Sequence, residues 1–183
     1  TKRLSVFRFE TPTQSEFSLI IPKKAISEIQ KLFFDKIEIY YDDTTLIAQS
    51  ANFEFFTKLI NGRFPDYNRV IPQEIKRRLR LSRDKMIEGI KTVSIISEST
   101  KIVFAPQTIS FESIVEDNSE AKTTIEFATG LEEEIYVGVK NRYLLDFLQS
   151  IEEEHFEFGF NDSNLAFTVS SNELKTVIMP INL

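Results

Sequence analysis

The sequence predicts an α+β protein of repeated βαβββ units, in which paired helices pack against antiparallel sheets. One observation is an amphipathic helical stretch that begins near Lys23, again near Arg83 and again near Asn141, a period of about 60 residues. A second is that three short segments of alternating apolar residues follow each stretch. A third is physical: each unit has one amphipathic helix and one sheet with alternating apolar residues, neither of which can bury its apolar face alone, and two copies together could enclose a core.

Taken in order, residues 4–10 alternate around Val6, Phe7 and Phe9 and read as a strand without an upstream partner. Residues 17–21 read as the next strand, and Pro22 suits the first turn of a helix reaching about residue 34. On the helical wheel Ala25, Ile26, Ile29, Leu32 and Phe33 gather opposite Lys24, Ser27, Glu28 and Lys31. Strands are expected at 36–41, 45–50 and 53–58, the first two joined by an Asp42-Asp43-Thr44 turn. The second round gives a strand at 76–81, Ser82 as N-cap, a helix at 83–96, and strands at 101–105, 108–115 and 122–129. The third gives a strand at 134–139, a helix at 141–151 with Asn141 as N-cap, and strands at 155–160, 165–170 and 175–180.

Composition removes most catalytic classes. With 42% hydrophobic and 27% charged residues the chain can bury one or two ordinary cores. It holds no apolar run near the roughly 20 residues of a membrane span, and no signal-peptide core at its start. Zero cysteines exclude a thiolate nucleophile and a Cys-ligated zinc, and suit a cytoplasmic location. The single histidine, His155, opens a strand-like run with no nucleophile elbow, and the five glycines form no phosphate-cradling motif. No cofactor is expected.

The net charge is −6, yet between positions 58 and 91 ten Lys or Arg face four acids. That window is +6, so the remainder is −12. Such asymmetry suits a protein that turns one surface to a polyanion, or two ordinary solvated faces.

The connection Asn61-Gly62-Arg63-Phe64-Pro65-Asp66-Tyr67-Asn68-Arg69-Val70-Ile71-Pro72 is a linker of fixed shape. Gly62 permits a tight reversal, and Pro65 holds the next residues in an extended or turn path. This run resembles the interdomain signature of the β subunit of bacterial DNA polymerase III, the replicative sliding clamp. Thr1-Lys2-Arg3-Leu4 is similar to the end of that family's Thr-Asp-x-x-Arg-Leu segment, and Val177-Ile178-Met179-Pro180-Ile181-Asn182-Leu183 to its C-terminal strand and Met-Pro tail.

The resemblance implies the DNA-clamp fold, with residues 1–70 as the C-terminal half of a middle domain plus linker and 71–183 as a complete C-terminal domain. It implies a non-catalytic clamp that encircles duplex DNA without reading sequence, as a homodimeric ring in the full-length protein; a fragment lacking half a domain is expected to be monomeric. Helices would line the hole, with Lys23, Lys24, Lys31, Arg83, Lys85, Lys91 and Arg142 facing phosphates. A groove for short linear motifs of polymerase, clamp-loader and repair proteins would be walled by Arg3, Leu4, Pro65, Arg69, Val70, Tyr143, Val177, Met179, Pro180, Ile181 and Leu183. Asn182 and Lys140 depart from the usual residues and bear on partner preference. The competing readings are a clamp-fold binding protein that does not encircle DNA, and a carboxylate-dependent hydrolase using Glu132-Glu133-Glu134 or Glu152-Glu153-Glu154.

Overall fold

The computed structural model describes residues 2–12, 16–114 and 120–181. Thr1, the expected strand end at Val115, Asn182 and Leu183 lie outside them. Two compact units emerge, Thr1–Glu10 with Tyr67–Leu183, and Thr11–Asp66.

The larger unit contains strands β1 (Arg3–Phe7), β5 (Arg77–Ser82), β6 (Ser99–Phe104), β7 (Thr108–Ser113), β8 (Lys122–Glu126), β9 (Ile135–Lys140), β10 (His155–Phe160), β11 (Phe167–Ser171) and β12 (Leu174–Ile178). Its helices are α2 (Arg83–Ser94) and α3 (Asn141–Ser150). One antiparallel sheet runs β1-β12-β11-β10-β5 and the other β8-β7-β6-β9. The repeats trade strands: β5 precedes α2 yet pairs with β10, and β9 precedes α3 yet pairs with β6. Each copy's first strand completes the other's sheet, so neither copy closes alone.

Alternation fills the space between the sheets. Phe156, Phe158 and Phe160 of β10 share one face, and the rings of Phe158 and Phe160 stand 5.1 and 5.4 Å from Phe104 of β6. Helix α2 turns Met86, Ile90 and Val93 inward, and α3 turns Leu144, Phe147 and Leu148. Gly89 lets α2 pack closely on β7, since a Cβ there would collide with the Phe111 ring.

The smaller unit holds α1 (Lys23–Leu32) and a three-stranded sheet, β2 (Glu38–Tyr41), β3 (Thr45–Gln49) and β4 (Glu54–Lys58). Ala25, Leu46 and Ala48 are buried. Of the expected apolar stripe on α1, Ile29, Leu32 and Phe33 are half-buried and Ile26 is exposed.

Several local expectations change. Residues 17–21 form no strand; a lone backbone bond, Ile60 N–H to Ile20 O at 2.9 Å, falls short of a ladder. Ser82 stands at the N-cap but makes no side-chain cap bond, and β5 runs straight into α2 through it. Lys140, not Asn141, is the N-cap of α3. The Asn141 side chain is drawn inward instead, accepting from Thr100 Oγ1 and donating to the Ser97 carbonyl, both at 2.7 Å. The linker adopts a 3-10 turn at Tyr67–Val70, and Gly62, at φ +151°, holds a backbone conformation that favours glycine.

Candidate docking groove and cationic helix faces

The first strand of the chain and its last lie side by side. Leu4 is opposite Val177 and Arg3 opposite Ile178, and beyond the ladder Met179 N–H donates to Lys2 O at 2.9 Å. The register continues one row across the sheet: Leu4, Val177, Thr168, Gly159 and Arg78 share the face turned away from the helices. That face is partly covered, since Val177 and Thr168 are each 4% exposed. Ile75 contributes to the cover, its Cγ2 lying 2.9 Å from where a Gly159 Cβ would sit. Met179 (45% exposed) and Val70 (54%) are open to solvent. Pro180 is buried and Ile181 half-buried, its N–H donating to Gly138 O of β9 at 2.8 Å. Arg69 and Val70 are exposed on the 3-10 turn; Pro65, also exposed, belongs to the smaller unit.

Arg3 and Tyr143 occupy the other side. One residue along a strand reverses the direction of a side chain, so Arg3 points towards α3 while Leu4 points away from it. Arg3 Nη1 donates to Asp146 Oδ2 at 2.6 Å and to the Tyr143 carbonyl at 3.4 Å. Its guanidinium carbon lies 5.5 Å from the Tyr143 ring centroid. Together Arg3, Phe7, Asp146, Glu153 and Leu174 help line a cleft of about 740 Å³. Hydrogen bonds from its own backbone N–H and from Ser171 Oγ hold the Glu153 carboxyl below its usual range. Asp146 carried no signal in the sequence beyond an i,i+4 relation to Arg142, and its partner Arg3 is 143 positions away.

The cationic candidates differ in how free they are. Lys23, Lys24 and Lys31 are exposed on α1, and Lys31 pairs with Glu28 at 2.9 Å. Lys85 and Lys91 are exposed on α2, and Arg142 on α3, 3.8 Å from Asp146. Arg83 is committed: its Nε donates to Leu148 O at 2.8 Å, near the end of α3, and its Nη1 meets Asp84 at 3.0 Å.

Among the described residues no group of three or more acids and histidines could hold a metal. Glu153 is engaged by Ser171 and Asn172, and Glu132, Glu133 and Glu134 are exposed.

Residues 1–66 match the family model of the DNA polymerase III beta subunit central domain, and residues 68–182 that of its C-terminal domain. The beta sliding clamp of Helicobacter pylori strain J99 is 31% identical over 200 residues, covering the whole chain and 54% of that protein. That of Chlamydia pneumoniae is 30% identical, covering the whole chain and 52% of it. The chain thus spans about half the length of these relatives. The crystal structure of the Helicobacter pylori beta clamp bound to a DNA ligase peptide superposes with a TM-score of 0.91 at 30% identity, covering the whole chain and 52% of that one. The Pseudomonas aeruginosa DNA polymerase III beta subunit shares the fold at a TM-score of 0.90 and 24% identity, covering the whole chain and 53% of its own. The chain belongs to the DNA polymerase III beta subunit family.

Proposed function

We propose that this chain serves in a non-catalytic sliding clamp that closes as a homodimeric ring around duplex DNA in the cytoplasm, tethers the polymerase and docks partner proteins in a linear-motif groove. Residues 1–70 supply the second half of a middle domain and its linker, and 71–183 the C-terminal domain, with β1 laid against β12. The phosphates of DNA meet exposed lysines on the helices, and base edges are not read, as sliding requires.

The observation that carries the docking reading is the pairing of Leu4 with Val177 and of Lys2 with Met179. It joins opposite ends of the sequence into one apolar strip ending at the exposed Met179. Leu4, Val177 and Met179 offer walls for a Leu or Phe anchor, with Val70 added on the resemblance alone, and burial of that anchor contributes roughly 1.5–3 kcal/mol. With a few hydrogen bonds this suffices for the micromolar affinity of a transient docking site. A ligase peptide bound to a 30% identical clamp supports the same reading.

The test is fluorescence anisotropy with that ligase peptide. Removing residues 179–183 would also delete the backbone bonds of Met179 and Ile181, so point substitutions are cleaner. Leu4→Ala and Met179→Ala should each weaken binding about tenfold, with little change in melting temperature. Wild-type affinity in both variants would place the groove elsewhere.

A further inference from the structure

β1 is a five-residue strand at the edge of its sheet, with β12 as its strand neighbour among the described residues. Two side-chain ties reach β1 among the described residues. Ser5 Oγ and Thr176 Oγ1 share a hydrogen bond at 2.9 Å, which only repeats the pairing already made by the ladder. Arg3 makes the other, and it alone of the two fastens the strand to a helix.

We propose that Arg3 is a positioning residue: its guanidinium clasps Asp146 and the Tyr143 ring of α3, and thereby holds Leu4 beside Val177 without touching the docked peptide. This rests on the groove reading above. Three features carry it. The Arg3 to Asp146 contact, at 2.6 Å, is charge-assisted and half-buried, with side chains 31% and 41% exposed. The same guanidinium lies over an aromatic face, which adds a second, independent hold. Leu4 is the next residue along a strand, so fixing the one fixes the other on the opposite face.

The experiment combines ligase-peptide anisotropy with amide hydrogen exchange on Arg3→Ala, Asp146→Ala, the double variant and Arg3→Lys. Arg3→Ala and Asp146→Ala should each weaken the peptide about fivefold, the upper range for a partly exposed pair, and the double variant should be no weaker than either. Both should speed exchange at the amides of β1 and of Met179, and Arg3→Lys should recover most of the affinity. The proposal is overturned if Arg3→Ala loses the peptide while Asp146→Ala keeps wild-type binding and exchange, because Arg3 would then contact the peptide itself. If the wild-type chain fails to bind but both single variants still speed exchange, the groove reading falls and the clasp stands.

Discussion

Glu112 sits between two lysines on the outer face of the four-stranded sheet. Its carboxylate is 2.7 Å from Lys122 Nζ and 3.2 Å from Lys101 Nζ, and Lys101 lies 5.1 Å from the Tyr136 ring centroid. The hydrogen bond from Lys122 and then that from Lys101 hold this carboxyl below its ordinary value of 4.5. A depressed folded value means that the contribution is present above the unfolded value and lost as the pH falls through the folded one. Glu112→Gln should therefore lower the melting temperature by about 2–4 °C at neutral pH, and the gap should begin to narrow as the pH falls past the ordinary value of 4.5 and close only below the lower folded value. A calorimetric pH series showing the same gap in strong acid would contradict the assignment. The ladder was not legible in the sequence. The alternation of each strand was readable, but which residues stand opposite depends on register, and register is set by packing across chain segments.

At the scale of elements, all three helices were legible from their 3.6-residue period, whereas residues 17–21 show that alternation without a neighbouring ladder does not make a strand. The exchange of β5 and β9 between repeats was also hidden, because each pairs with a strand from the other copy. Wheel position assigned charges to faces but could not reveal which were already used. Arg83 shares its helix with Lys85 and Lys91, yet it ties the start of α2 to the end of α3 through the Leu148 carbonyl. Lys85→Ala and Lys91→Ala should each reduce the slope of log affinity for DNA against log salt by about 0.9, with melting unchanged. Arg83→Ala should do the reverse, leaving the slope and lowering the melting temperature. A flattened slope in Arg83→Ala would return that residue to the phosphate contacts.

For the molecule as a whole, the repeat was readable because each copy needs the same order of amphipathic segments, and its meaning came from the linker motif. The proposed docking strip was accessible only through resemblance. Leu4 and Val177 are brought together by strand pairing that no local pattern announces, and Arg3, one position away, turns out to face the helix instead. Clamping is a topological property, which distinguishes it from a basic surface that merely attracts phosphate. The direct measurement is retention of the full-length protein, loaded by its clamp loader, on nicked circular DNA before and after a single linearising cut, at a salt concentration that suppresses ordinary electrostatic binding. The account predicts stable retention on the circle and loss once free ends appear; equal retention on both, or equal loss from both, would contradict it.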